Sequence, residues 1–514
     1  MNNDSRIKNS ARNAIVGLGG QGAIVLINFW SRGIFIKFLS VEYLGVNGLF
    51  SNVLTILSLA ELGVGSAIIY SMYKPIAEND KRKIQALMNL YSRAYKIIGL
   101  VIAIVGILIT PFIKYIIKDN GNIENIELIY LIFLLNTVVS YFFAYKRSII
   151  SADQRDYIVS GYKYTFNVVK IIIQILVLYI GKNFIAYLLV QVFCTVLENI
   201  FIAKRADKLY PFLKYKNKEN LNVEEKRDIF RNIRALMIYK ISSTMLDGTD
   251  NIIISAIIGV KSVGVLSNYT LIIGSISMVI SQITGAITAS IGNITSKETK
   301  EKQIEVFNII LFSTFILYGG SLVCLLSLIN PFIFVFFGEQ YILNKLTVII
   351  LVLNYYIYGM QNVVWTYRST MGLFIYGKFR PVVSAIINIV VSIILAKYIG
   401  LLGVLMGTTI TRIITNVWYD PIIIYKYGFK SSVKEYYVQY VKYVFQLLLT
   451  VITVGIIVAF IPDYSIVLFF IKSIISLILT IMIFFVIFRK KYEFKYLYNI
   501  INNILLKKKD IQFN

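Results

Sequence analysis

The chain contains no histidine. That absence removes the side chain that most often acts as a general base near neutral pH and most often ligates metals. Two cysteines, Cys194 and Cys324, are all that 514 residues provide, and each sits inside an apolar run. They read as small core residues, not as a disulfide or a metal pair. Charge is scarce too: 15% of residues are charged, where a soluble protein carries about 25%. No Gly-rich phosphate loop ending in Gly-Lys-Ser/Thr, no nucleophile elbow and no metal-ligand cluster can be found, so no sequence signature argues for an enzyme, and no cofactor or metal is expected.

Apolar sequence takes their place. Hydrophobic residues make up 57% of the chain and the mean hydropathy is +0.71. Runs of about 20 mostly apolar residues, the length of a membrane span, recur throughout. The formal net charge is +25, which in a soluble protein would suggest nucleic acid. Here the basic residues cluster between apolar runs, a placement that speaks for membrane topology and anionic lipid contact and against nucleic acid. The polar, basic stretch Met1–Asn13 precedes an apolar run too long for a signal-peptide core, so it is expected to be retained before the first span.

The expected fold is an all-α polytopic membrane protein with fourteen spans. They lie at 13–39, 43–72, 94–117, 126–145, 157–180, 184–203, 235–258, 263–291, 304–329, 342–367, 379–398, 402–425, 437–460 and 466–488. Basic residues fill alternate connections, from Arg6, Lys8 and Arg12 through Lys146, Arg147 and Arg155 to the 489–509 tail. The positive-inside rule then puts both termini in the cytoplasm. The opposite connections are short, leaving no room for an extracytoplasmic catalytic domain. The polar segment 204–234 divides six spans from eight. We therefore expect an N-terminal lobe over 1–205, a cytoplasmic linker over 206–234, a second lobe over 235–425, and two further helices with a basic tail over 426–514. The turn Ser40–Val46 has a counterpart at Gly259–Val265, and weaker echoes occur at Tyr179–Gly181 and Tyr398–Gly403. Both lobes thus open with a similar hairpin, as in parallel repeats around a central cavity.

Polar residues inside these spans are patterned. Gln21, Asn28 and Arg32 share one face of the first span, and Lys163, Asn167, Lys170 and Gln174 recur at spacings of four, three and four in the fifth. The second span carries Glu61, and the seventh Lys240, Asp247 and Asp250. Arg147 closes the fourth span, Gln361 and Arg368 lie in the tenth, Arg380 and Asn388 in the eleventh, and Arg412 in the twelfth. An ionisable residue in mid-membrane costs roughly 2.5–3.5 kcal/mol on insertion scales, so it normally faces protein or water. Two readings stand side by side. Lys37, Lys163, Arg368 and Arg380, near span ends, either snorkel to the interface or line a cavity. Arg32, Lys170, Asp247 and Asp250, deeper and with polar companions, favour the cavity. Arg412 either lines it or bonds within its own lobe, and Glu61 is either a coupling carboxylate or half of a structural pair. Spans three, nine, thirteen and fourteen are nearly bland and are expected to face lipid. Cations outnumber carboxylates in this set, which favours an anionic ligand such as phosphate or pyrophosphate. Asp247 and Asp250 are left to neutralise those cations or to bind a coupling proton or sodium ion.

The stretch Leu39–Phe50 (LSVEYLGVNGLF), with Glu61–Ala67 (ELGVGSA) and Thr249–Ser255 (TDNIIIS), resembles bacterial polysaccharide (Wzx-type) flippases of the multidrug/oligosaccharidyl-lipid/polysaccharide exporter superfamily. The resemblance implies a two-lobed transporter in the bacterial cytoplasmic membrane. It would move undecaprenyl-diphosphate-linked oligosaccharide between leaflets by alternating access, beside the glycosyltransferases and polymerase of a surface-polysaccharide pathway. Arg32 and Asp250 sit where that family places a first-helix cation and a seventh-helix carboxylate. The related lipid II flippases use basic residues in the eighth helix, and Val263–Ile291 has none, so lipid II is the lesser expectation. A cation-coupled multidrug antiporter of the same superfamily and a membrane polysaccharide polymerase are the alternatives.

Overall fold

Backbone amides and carbonyls buried in lipid have to pair locally, and a helix pairs them within its own segment. The computed structural model of the chain is accordingly helical. It describes residues 3–505 except 62–63, 119–122, 215–220, 228, 231–247, 298, 374–375, 378 and 463–464. Among the described residues, nine helices are long and apolar enough to cross a membrane, or ten when the bent pair Ile126–Phe142 and Tyr145–Ala152 counts as one span. The protein is an all-α polytopic membrane protein. Its chain divides into two compact units, Met1–Gly264 and Val265–Asn514.

The first unit holds α1 (Asn3–Phe38), α2 (Val41–Leu57), α3 (Val64–Ala77), α4 (Lys81–Ile109), α5 (Ile126–Ala152), α6 (Asp156–Gly181), α7 (Phe184–Leu209), α8 (Asp250–Ile257) and the start of α9 (Val260–Lys297). The second expected span is a broken helix. A 3₁₀ turn, Ser58–Glu61, separates α2 from α3, and glycines at 63 and 65 follow it directly. α1 runs beside α6, while α5 packs on both α4 and α7. Val46, Leu49, Phe50, Met72, Tyr130 and Ile150 are sealed in this core. Leu221 and Ile229, in the expected linker, are buried against the same core. Nearby, Lys83 Nζ pairs with Glu225 at 2.5 Å and the Gln85 amide donates to the Phe212 carbonyl.

The sequence echo between Ser40–Val46 and Gly259–Val265 is a physical contact. A Cβ on Gly45 would overlap the Val260 carbonyl, and a Cβ on Gly264 would overlap the Val41 carbonyl. The first turn of α2 and the first turn of α9 therefore cross backbone to backbone at two equivalent points. Small residues are what allow such an approach.

The second unit holds the rest of α9, then α10 (Lys300–Phe337), α11 (Lys345–Thr370), α12 (Arg380–Arg412), the short α13 (Tyr419–Ile423), α14 (Lys434–Ala459), α15 (Ile466–Phe488) and α16 (Tyr492–Leu505). α12 is a hairpin. Ile399 and Gly400 leave helical geometry (Gly400 at φ 59°, ψ −135°), and the two arms return antiparallel, with Asn388 bonded to Thr408 and Ser384 to Thr415. These arms are the expected eleventh and twelfth spans. The expectation that span nine faces lipid is corrected: 61% of the most apolar window of α10 is buried, against 17% for α15. Phe307, Leu311, Phe312 and Phe315 are sealed, with Phe315 stacked on Tyr443 at 4.3 Å. α10 is the pillar that α11, α14 and α15 pack around. A helix apolar on every side suits a core as well as it suits lipid, so composition could not separate the two.

Candidate functional site

In the first unit, α1 and α6 run parallel. Asn13 accepts from the Tyr157 amide, the Tyr164 hydroxyl donates to Gln21 Oε1 at 3.1 Å, and Phe38 meets Tyr179. Gly20 lets the Tyr164 ring close on α1, since a Cβ there would overlap the ring. α6 and α7 are antiparallel, and the α6 stripe faces a stripe on α7 at the same spacing: Tyr187, Gln191, Cys194 and Glu198. Gln174, buried, donates to the Tyr187 carbonyl at 3.0 Å. Lys170 lies in the electrostatic reach of Glu198 and Cys194, and Arg32 in that of Tyr187. Arg147 Nη2 holds Glu198 at 2.9 Å and also donates to Asn199. The structure thus places Arg32 and Lys170 along the α1–α6–α7 seam, Arg32 by Tyr187 and Lys170 near Glu198, the carboxylate that Arg147 of α5 holds. Asn28 and Asn167 are half-buried on the same stripes, and Lys163 is exposed. Glu198 and Tyr187 belong to this seam; Glu198, near the cytoplasmic end of its span, reads from sequence as a structural residue, and Tyr187 was not singled out. The i, i+4, i+7, i+11 spacing on α7 was the available signal.

Glu61 ends the 3₁₀ turn that breaks the second span. Its Oε1 accepts from the Tyr95 hydroxyl at 2.6 Å, and Tyr141 also bonds to the carboxylate and to Ser58. Tyr91 donates to Tyr95 at 3.2 Å, and Ser148 donates to Tyr91 at 3.0 Å. A directed row of hydroxyls, Ser148 to Tyr91 to Tyr95, leads to this carboxylate. Glu61 is held by tyrosines; a pair with a neighbouring lysine was one of the two readings its sequence position allowed. Asp250 is the first residue of α8, half-buried, next to Asn251, which approaches Gly48 of α2. Asp247 and Lys240 lie outside the described residues.

The second unit carries its own polar cluster. Asp420, 1% exposed, accepts from Arg368 Nη1 at 2.6 Å and Trp365 Nε1 at 2.9 Å, and Arg380 Nε lies 3.3 Å away as an ion-pair partner. Arg368 also donates to the carbonyls of Leu373 and Tyr376, and Arg380 to Asn416 Oδ1. Asn416 donates to Gln361 at 3.4 Å. π-helical turns at Ile413–Val417 and Ile424–Phe429 bracket the segment that presents Asp420; such turns insert an extra residue and redirect side chains. Arg412 bonds within its own unit: Nη1 donates to the Asn354 carbonyl at 2.8 Å and the guanidinium lies over Tyr358. Asn388 is fully buried. Arg368 and Arg380, read from sequence as two separate cations, therefore meet at one carboxylate that sequence reasoning passed over. Asp420 precedes Pro421 at the end of an apolar run, and its partners are 40 and more residues away, so spacing gave no sign of it.

No protein-family model matches the sequence, and no curated protein sequence matches it. Solved structures do share its fold. A structure described as the lipid II flippase MurJ in an inward closed conformation superposes with a TM-score of 0.67 over 93% of this chain and 99% of that one, at 15% identity. An inward-facing multidrug resistance transporter of the MATE family in the MOP superfamily gives 0.58 over 81% and 99%, also at 15% identity. A mutant form of the Vibrio cholerae MATE transporter VcmN gives 0.54 over 84% and 98% at 12% identity. At these identities the similarity speaks for the fold alone.

Proposed function

We propose that the chain is a flippase that translocates an undecaprenyl-diphosphate-linked oligosaccharide across the bacterial cytoplasmic membrane by alternating access, serving surface-polysaccharide synthesis. The observation that carries this reading is the α1–α6–α7 seam, where Arg32 lies by Tyr187 and Lys170 lies near Glu198, which Arg147 of α5 also holds. In a low-dielectric setting an excess of cations attracts a diphosphate far more strongly than in water. Arginine adds bidentate hydrogen bonding to phosphate oxygens. A fold shared with a lipid II flippase supports a lipid-linked cargo. The absence of basic residues from 263–291 speaks for a glycan-lipid other than lipid II. The Glu61 carboxylate with its row of hydroxyls is the group we assign to coupling with a proton or sodium ion, and it is the feature that a cation-coupled antiporter would also require.

The test is a transport assay in proteoliposomes loaded with fluorescent undecaprenyl-diphosphate oligosaccharide. The wild-type chain should move the lipid to the leaflet reached by a membrane-impermeant quencher. Arg32→Ala/Lys170→Ala should lower the rate at least tenfold while inserting at wild-type levels. An unchanged rate in the double variant sinks the cationic-seam reading, and efflux of cationic drugs without glycan-lipid movement assigns the chain to the antiporters.

A further inference from the structure

A cavity of about 480 Å³ lies in the first unit, where α3 ends, α4 begins, α5 turns into α6, and the 3₁₀ turn Pro211–Lys214 follows α7. It falls in the roughly 300–1,000 Å³ range of small-molecule sites. Ile84 and Ile149, both buried, give it an apolar wall. Tyr210 and Phe212, whose rings meet edge to face at 6.2 Å, give it an aromatic one. Charge enters through Lys81, Asp153 and Arg155.

The charged groups are held in a defined order. Asp153, 6% exposed, accepts from the Tyr210 hydroxyl at 2.7 Å and pairs with Arg155 Nε at 3.1 Å. Burial, and then the carboxylate beside it, push the Tyr210 hydroxyl up, so it stays a donor. Gln154 stands between the two paired residues at φ 59°, a region that side chains of its kind seldom enter. Asn13 Nδ2 donates to its carbonyl at 3.1 Å, and the Arg155 amide donates to the Ile150 carbonyl, so the turn is fixed. Backbone strain of this sort gathers at binding sites. Among the described residues Arg155 has this one ion pair and Lys81 has none. Nε therefore sets the plane of the guanidinium, and its two terminal nitrogens are left to a ligand. The other carboxylates of these connections are engaged elsewhere: Glu78 with Lys74, Asp80 with the Lys83 amide and Asp207 with Lys146.

We propose that this cavity binds a phosphate ester, with its phosphate between the terminal nitrogens of Arg155 and the Lys81 ammonium and its organic part against Tyr210 and Phe212. The planar fork of arginine matches two phosphate oxygens, and lysine adds a point charge. A soluble nucleotide and a lipid headgroup offer the same phosphate chemistry, and the experiment separates them. Occupancy ties the turn after α7 to the first turn of α4 and to the α5–α6 turn. Arg32 and Lys170 do not line this cavity, and the inference does not depend on the identity of the cargo.

The test uses the full-length chain purified in detergent and native mass spectrometry with two pairs of probes. Adenosine monophosphate is compared with adenosine, and dioleoyl phosphatidic acid with dioleoylglycerol. At least one phosphate ester should remain bound at concentrations at least tenfold lower than its phosphate-free counterpart. Preference within the first pair marks a soluble ester, and preference within the second pair alone marks a lipid headgroup. Lys81→Gln/Arg155→Gln should abolish the preference. Lys81→Gln alone changes an exposed side chain, leaves the interior untouched and should weaken the ester at least threefold. Arg32→Ala/Lys170→Ala, and Lys397→Gln at an exposed lysine on α12, should leave binding unchanged. Hydrogen exchange across 209–213 should slow when the ester is bound. The proposal is overturned if neither ester exceeds its counterpart, or if the Lys81→Gln/Arg155→Gln variant keeps the wild-type preference. Loss of the preference in Arg32→Ala/Lys170→Ala overturns it as well, by assigning the phosphate to the α1–α6–α7 seam.

Discussion

Replacing Asp420 by asparagine removes the one negative charge from a buried cluster that holds two guanidinium groups. The carboxylate is 1% exposed, and Arg368 and Arg380 reach it at 2.6 and 3.3 Å. Asparagine keeps the shape, so little of the effect comes from packing. The loss is the charge-assisted part of the Arg368 hydrogen bond, the ion-pair attraction to Arg380 and the stranding of two cations among apolar helices. Breaking a buried ion pair by removing one partner costs about 3–5 kcal/mol. Remaining bonds from Arg368 to the Leu373 and Tyr376 carbonyls, and from Arg380 to Asn416, hold the value toward the lower end. For a unit of about 250 residues, 1 kcal/mol moves the midpoint by about 2–4 °C, so a drop of roughly 6–20 °C is expected. Cys324, on the α10 pillar, provides the readout. In a Cys194→Ala background, a thiol-reactive fluorogenic dye reports exposure of the second unit as it melts. Arg368→Met combined with Asp420→Asn should cost less than the sum of the two single changes by at least about 1.5 kcal/mol, the signature of direct coupling. A midpoint for Asp420→Asn within 2 °C of the parent would refute the claim that this carboxylate anchors the cluster.

Two glycine substitutions should have opposite signs. Gly45→Ala drives a methyl into the Val260 carbonyl and should destabilise by about 1–3 kcal/mol; Gly161→Ala, on α6 with nothing within 4 Å, should be neutral or stabilising by up to about 1 kcal/mol, and equal midpoints for the two variants would contradict the close crossing. Glu61→Gln should abolish the dependence of transport on a proton gradient, and Tyr95→Phe, which removes the last hydroxyl of the row, should slow coupled transport at least tenfold; unchanged gradient dependence in both would leave Glu61 a structural residue. The Lys83 ammonium holds the Glu225 carboxyl below the usual carboxylate range, so docking of residues 221–227 draws stability from this pair above the ordinary pKa of about 4.3 and loses it as pH falls through the lowered value. Hydrogen exchange across 221–227 should therefore accelerate at acid pH in the wild type and be fast at every pH in Glu225→Gln; protection that is flat with pH and indifferent to the substitution would exclude the pair as the clasp.

Where hydropathy dictates structure directly, the sequence was readable. The α6 stripe Lys163–Asn167–Lys170–Gln174 lies against a matching stripe because a 3.6-residue repeat maps straight onto a helix face. Gly400 marks a true reversal because its positive φ suits glycine and few other residues. The echo of Val41–Gly45 in Val260–Gly264 turned out to be a contact. What escaped notice depends on register between distant segments. Asp420 finds Arg368 52 residues away, and nothing local encodes that meeting. The break at Ser58–Glu61 was passed over because Leu59, Ala60 and Leu62 continue the apolar run even as the backbone tightens. Leu221 and Ile229 looked like isolated apolar residues in a charged linker, and their burial depends on a docking surface made by other helices. α10 shows the limit of composition itself: an entirely apolar helix is equally content in lipid or in protein.

The reciprocal crossing of Gly45 and Gly264 behaves as a two-toothed catch. Sliding α2 or α9 by one residue moves the crossing about 1.5 Å along the axis and brings a residue with a Cβ against a carbonyl at both teeth together. Partial disengagement is therefore sterically worse than either end state. The two teeth therefore fix the register of the two helix starts together. Two glycines spaced identically from two valines are all the sequence it takes to specify such a catch.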